Sequence, residues 1–384
     1  MVISDQTGLE ALCVRLKSAP FLCVDTEFVR ERTYYPILCL VQVCGPDGKA
    51  AAIDPIAAPG LDWSPFYALM DDPGIVKVFH SARQDLEIFW NRTGRVPAPL
   101  FDTQIAAMVC GFGESVGYEN IVRTVTGVQV DKGSQFTDWS RRPLTERQLT
   151  YALADVEHLV KVYERLDADL ERRGRRGWVE EEEAVLSDPR TYDPPPDALW
   201  QRIRVRSDKP AVLAVLRELA VWRESEARRK NVPRGHVLKD EALAEIALNA
   251  PRAAKDLERV RGLGEDRARG KVGEQIMAAV ARARALPPEA CPRAPERSDF
   301  PGHLSPVVEM LRMLLKIRCA EHGVVPRLVA DAQDLEALAM GRDTPALHGW
   351  RRGVFGADAL RLRRGDIALT VSGNAIREID VPGK

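Results

Sequence analysis

The chain has 384 residues, 45% of them hydrophobic and 29% charged, which excludes a collagen-like or wholly disordered protein. At roughly 100–200 residues per domain this length predicts two or three domains. The net charge of -1 is uneven: residues 1–200 hold 21 Lys+Arg against 31 Asp+Glu, residues 201–290 hold 20 against 13, and residues 291–384 hold 14 against 12. A basic middle segment attracts a polyanion by counterion release, or is simply a set of solvated helices, while the acidic first half holds cations or is a solvated surface. No run approaches the roughly 18 apolar residues of a membrane span. The opening MVISDQTGLE lacks the basic-then-apolar order of a secretory signal. Seven cysteines without a CxxC pair read as reduced, buried small hydrophobes of a soluble cytoplasmic protein, with no membrane association.

Short apolar runs at residues 21–24, 38–44 and 50–53 predict three strands, with Pro46, Asp47 and Gly48 as hairpin punctuation. A helix near 63–70, a strand at 75–79, a helix over 81–90, a short strand at 100–101 and a helix from 103 follow. Hairpin strands followed by strand–helix alternation predict an α/β domain, a mixed sheet flanked by helices. A long helix starts near Thr145, where Thr145 and Gln148 form a capping box and Leu149, Leu153, Val156, Val160 and Tyr163 mark an apolar stripe. Pro194, Pro195 and Pro196 end the helical pattern and place a domain boundary. Residues 211–285 read as purely helical, 286–302 as a second linker, and the last segment as helices closed by a hairpin around Ser372, Gly373 and Asn374.

Asp25 and Glu27 are two residues apart on a strand, so both carboxylates project to one face and repel unless a cation, a raised pKa or water offsets them. Asp85 stands in the first turns of a helix, where a negative charge is favoured for its own sake. Tyr151 and Asp155, four apart on the long helix, are neighbours on one face. Each feature alone is common. Together, four acids supply enough oxygen ligands for two hard divalent cations, which can clamp both oxygens of an in-line phosphoryl displacement. Tyr151, a poor base at neutral pH, can orient the attacking water. Asp102, a fifth acid at a strand end, reads as structural or as support for the ligands.

The stretches Val24-Asp25-Thr26-Glu27-Phe28, His80-Ser81-Ala82-Arg83-Gln84-Asp85 and Tyr151-Ala152-Leu153-Ala154-Asp155 resemble the three exonuclease motifs of the DEDD superfamily, in its tyrosine-bearing branch. Tyr35-Pro36, Phe101-Asp102-Thr103-Gln104 and Asp138-Trp139-Ser140-Arg141-Arg142-Pro143-Leu144 sharpen the likeness to the ribonuclease D family, over residues 1 to about 190. The resemblance implies a ribonuclease H-like fold and 3′→5′ hydrolysis of RNA, at the 3′ extensions of tRNA precursors and other small stable RNAs, releasing nucleoside 5′-monophosphates. By position, Asp25, Glu27, Asp85 and Asp155 would bind two divalent metal ions, Mg2+ or Mn2+, and Tyr151 would place the water. Phe28, His80 and Gln84 would contact terminal nucleotides, or serve packing and capping. Residues 211–285 are similar to the helical HRDC-type nucleic-acid-binding domain shared with RecQ helicases, with Arg228, Arg229 and Lys230 as phosphate contacts. Val324-Val325-Pro326 echoes Asn231-Val232-Pro233, marking a divergent second copy that binds RNA or docks against the rest of the chain. The resulting domain expectation is an exonuclease domain over 1–190, a Pro-rich linker over 191–206, a helical domain over 207–286, a linker over 287–302 and a divergent helical domain over 303–384. A DNA-directed exonuclease of the same superfamily and a non-catalytic RNA-binding protein remain the alternatives.

Overall fold

Strand alternation builds the first layer of the computed structural model, which describes residues 1–131, 133–294 and 300–381. Strands β1 (Val2–Ile3), β2 (Phe21–Val29), β3 (Ile37–Cys44), β4 (Ala51–Ile53), β5 (Val76–Phe79) and β6 (Leu100–Asp102) form one sheet in the order β1-β4-β3-β2-β5-β6. The pairings β2–β3 and β3–β4 are antiparallel, and β1–β4, β2–β5 and β5–β6 are parallel. Along β2, Leu22 and Val24 enter the core built with α1 (Gln6–Leu16), α2 (Ser64–Asp71) and α3 (Arg83–Thr93). Phe21 and Cys23 enter the core on the other face, with α4 (Thr103–Val109), α5 (Tyr118–Thr126) and α6 (Glu146–Arg173). The same period of two sends Asp25 and Glu27 toward α6, and Thr26 toward α3.

The apolar run at 21–24 predicted a strand with the acids at its end. The acids do lie on the strand, which runs two residues past them to Val29, because β3 pairs along it, with Asp25 opposite Gln42 and Glu27 opposite Leu40 before the register shifts between Glu27 and Phe28. Ladder hydrogen bonds from β3 outweigh the weak strand preference of the Asp-Thr-Glu step. The capping box of α6 forms: Gln148 N donates to Thr145 Oγ1 at 3.2 Å, and Thr145 N donates to Gln148 Oε1 at 3.0 Å. All seven cysteines are free thiols and all but Cys291 are buried. Among the described residues no helix is long and apolar enough to cross a membrane.

After α7 (Arg176–Ser187) the proline-rich stretch runs as 3-10 turns, Pro189–Thr191 and Pro196–Arg202. It is not free chain, since Leu199, Trp200 and Ile203 are buried in the core of the helices that follow. Those are α8 (Pro210–Lys230), α9 (Arg234–Val237), α10 (Asp240–Asn249), α11 (Ala254–Leu257), α12 (Glu265–Arg269) and α13 (Lys271–Arg284), packed around Leu216, Leu219, Ile246 and Ile276. Consecutive prolines exclude an α-helix, yet the apolar residues beside them still gain by burial. Of the expected second linker, residues 295–299 lie outside the described residues.

The last unit comprises α14 (Ser305–His322), α15 (Pro326–Val329), α16 (Ala332–Met340), α17 (Gly349–Arg351), a π-helical turn and α18 (Ala357–Arg364). It closes with the hairpin β7 (Ile367–Ser372) and β8 (Ala375–Asp380); Gly373 takes φ +61° in its two-residue turn, where a side chain would be strained. This unit docks on the first. Trp178 and Trp350 stack with ring centroids 4.4 Å apart and planes 11° apart. Arg351 pairs with Glu181 at 2.8 Å and with Glu182, and Arg175 donates to the carbonyl of His322 at 2.5 Å.

The middle helices grip the β2–β3 hairpin. The backbone N–H groups of Tyr34 and Tyr35 both donate to Asn231 Oδ1 at 3.1 Å. The Tyr34 hydroxyl donates to Glu224, whose carboxylate also accepts from Arg228 at 3.0 Å and Arg234 at 2.5 Å.

Candidate active site

The face of β2 under α6 and one face of α6 converge. Asp25, Glu27 and Asp155 each offer a carboxylate oxygen, and these oxygens all lie within 4.8 Å of one another. Tyr151, one turn before Asp155, donates its phenol hydrogen to that carboxylate. Asp85 stands one step behind, where Thr26, on the opposite face of β2, donates its hydroxyl to Asp85 Oδ1 at 2.5 Å. Asp102 organises this end of the sheet. It caps α4 by accepting from Gln104 N at 2.8 Å, and accepts from Ser81 N at 3.0 Å and Ala82 N at 2.8 Å. Ser81 has φ +62°, so those two bonds hold a strained residue at the turn that launches α3 and Asp85.

A cavity of about 310 Å³ opens on the acids, lined also by His80, Tyr118, Gln135 and Tyr151. Of the three residues expected beside the terminal nucleotides, only His80 lines it. Its Nδ1 is 3.0 Å from Thr103 Oγ1, and its Nε2 is buried with no hydrogen-bond partner among the described residues. Phe28 packs against the sheet core beyond the register shift, and Gln84 is exposed on α3. The three basic residues at the end of α8 are spent on carboxylates of this chain: Arg228 on Glu224 and Asp193, Arg229 and Lys230 on Glu226. Sequence reasoning passed over Tyr118, whose hydroxyl donates to the Ala154 carbonyl at 2.8 Å, and Thr26. Thr26 had a legible signal, being the residue between two acids on a strand. Tyr118 had only a glycine before a short amphipathic helix.

Burial first, then mutual repulsion, makes these acids hard to ionise in the bare protein. Asp25 is raised well above the usual range by burial and by the charge of Asp155. Glu27 is raised by burial and by Asp25, Asp155 and Asp85. Asp85 is raised by burial and Asp25, against the pull of the Thr26 hydroxyl. Burial takes Asp155 up to about 7, with the Tyr151 hydrogen bond pulling back. Burial, followed by the charge of Asp155, also raises Tyr151, so its phenol stays protonated.

No Lys or Arg lines the cavity among the described residues, so nothing described in this chain neutralises three adjacent carboxylates. Beside them, the fully buried Gln42 amide, opposite Asp25, has no hydrogen-bond partner among the described residues. Hard oxygen donors with uncompensated negative charge are the ligand set of a divalent cation. The donor set fits.

A mixed sheet under a long helix, with strand-borne and helix-borne acids meeting at one cavity, is a site built for metal-assisted phosphoryl chemistry. Residues 1–171 match the 3′-5′ exonuclease family, and residues 212–280 match the HRDC domain. The chain is 50% identical over 381 residues to ribonuclease D of Gluconacetobacter diazotrophicus, covering 99% of this chain and 96% of that protein. It is 48% identical over 381 residues to ribonuclease D of Granulibacter bethesdensis, covering 98% and 96%. The crystal structure of Escherichia coli RNase D, described as an exoribonuclease involved in structured RNA processing, superposes with a TM-score of 0.79 at 32% identity, over 95% of this chain and 98% of that one. This chain belongs to the ribonuclease D family.

Proposed function

We propose that this chain removes nucleotides one at a time from the 3′ ends of structured small RNAs, tRNA precursors with 3′ extensions among them, releasing nucleoside 5′-monophosphates. The convergence of Asp25, Glu27 and Asp155 beside Asp85, in a cavity without a neutralising cation among the described residues, carries the reading. Asp25, Glu27, Asp85 and Asp155 would hold two divalent cations, Mg2+ or Mn2+. Such ions, when bound, lower the pKa of water and stabilise the departing oxyanion. The chain's own part is positional. Tyr151, kept protonated and already bonded to Asp155, offers its oxygen to orient the attacking water. His80, on the wall of the same cavity, would lie beside the terminal nucleotide. Asp102 keeps Asp85 and His80 in register through the Ser81 turn. The relation to E. coli RNase D supports RNA as the substrate.

The test is product analysis on a 5′-labelled RNA hairpin with a single-stranded 3′ extension. Expected are a ladder shortened from the 3′ end, nucleoside 5′-monophosphates, and no reaction with chelator. Internal cleavage, loss from the 5′ end, or faster turnover of a matched DNA strand would overturn it.

A further inference from the structure

The acid cavity does not end at the acids. A second cleft, of about 440 Å³, adjoins it and is lined by Val29, Glu31, Arg32, Thr33, Phe136, Asp138 and Ser140. Two elements wall both spaces. β2 gives Asp25, Thr26 and Glu27 to the first and Val29 to the second, while the loop before α6 gives Gln135 to the first and Phe136 to the second. A polymer whose 3′ end sits among the acids leaves along this shared wall.

Phe136 is 95% exposed. A lone exposed apolar residue is ordinary, but the turn that carries this one is held by hydrogen bonds. Its turn is closed by Thr137 N donating to the Ser134 carbonyl at 3.1 Å, with the Thr137 hydroxyl donating to the same carbonyl at 2.8 Å. Ser134 is buried, and Gln148 of the α6 capping box donates to Thr137 Oγ1 at 3.1 Å. The ring therefore rides on the start of the helix that carries Tyr151 and Asp155. On the same cleft Arg32 is exposed and makes no ion pair among the described residues, while Asp138 is paired with Arg141, and the Thr33 and Ser140 hydroxyls donate to the Tyr35 carbonyl and to Asp138. An exposed aromatic ring on a hydrogen-bonded turn, in one cleft with an exposed cation, is what a single nucleic-acid strand needs, the ring for a base and the cation for a phosphate.

We infer that Phe136 is the stacking platform for a base on the 5′ side of the nucleotide being removed, with Arg32 holding the adjoining phosphate, so that this cleft sets the single-stranded length the enzyme grips. The inference rests on the exonuclease reading above. It makes Phe136 a substrate-positioning residue that recognises any base by its π face, without sequence preference.

The test uses the full chain and a set of single-stranded RNAs carrying one abasic site at the second, third or fourth position from the 3′ end. In the wild type, one of these positions raises KM about tenfold with kcat nearly constant, the size expected for one lost base–aromatic stack. Phe136→Ala raises KM for intact RNA by a similar factor and erases the penalty at that position, while Phe136→Trp keeps both at wild-type values. An unchanged KM in Phe136→Ala, or an abasic penalty that survives the substitution, overturns the inference while leaving RNA hydrolysis standing. Failure of the wild type to shorten RNA at all overturns the exonuclease reading, and this inference with it.

Discussion

Replacing Glu224 by Gln probes the clasp between the middle helices and the β2–β3 hairpin while keeping the side chain's shape. Glu224 is buried, and its carboxylate accepts from Tyr34, Arg228 and Arg234. Burial pushes its pKa up, but the hydrogen bonds from Arg234 and Tyr34, with the Arg234 charge, outweigh it and bring the group from 4.5 down to about 2. A depressed carboxylate stabilises the fold fully above its unfolded value of 4.5, and that stability is lost as pH falls toward 2. The shift corresponds to about 3 kcal/mol at pH 7, falling to about half by pH 3. The assay is urea unfolding of wild type and Glu224→Gln in parallel at pH 7, 5, 4 and 3, because the difference cancels every other titrating group. The expected gap is 2–3 kcal/mol at pH 7, narrowing steadily below pH 4.5, in keeping with about 1.5–3 kcal/mol for hydrogen bonds to charged groups. A gap under about 0.5 kcal/mol at pH 7, or one that does not move with pH, would refute the reasoning. A double-mutant cycle with Tyr34→Phe should return about 1–2 kcal/mol of coupling across the contact.

Tyr151→Phe removes only the hydroxyl that bonds Asp155; kcat should fall about 100-fold with KM within about threefold, read by steady-state kinetics on a short RNA strand. Trp350→Ala removes one half of the Trp178–Trp350 stack and leaves Arg351 on Glu182. It should destabilise the docked C-terminal unit by about 2 kcal/mol, seen as an earlier thermal transition, while hydrolysis of a short strand is kept.

The sheet alternation and the Asp25–Glu27 pairing were legible because both follow a period of two along one strand. The approach of Asp155 to that pair was not, since it depends on α6 crossing β2 and β3, a contact between residues far apart in sequence. Motif order supplied it where periodicity did not. The fate of Arg228, Arg229 and Lys230 had a local signal that charge counting obscured: Glu224 and Glu226 stand three or four residues ahead of them on the same helix, the spacing of helical ion pairs. The Tyr34–Glu224 clasp spans 190 residues, and neither residue type announces it. The proline-rich stretch read as a linker because proline marks where an α-helix stops, not whether the neighbouring Leu199 and Trp200 find a core.

The claim that these acids converge to hold divalent ions is tested most directly by Mn2+ titration of the full chain at neutral pH, followed by electron paramagnetic resonance. Two ions per chain with a spin-coupled spectrum are expected, with coupling lost in Asp25→Asn and in Asp155→Asn while both variants melt, metal-free, at or above the wild-type temperature. Binding of no ion, or Mn2+ binding indifferent to both substitutions, would contradict it.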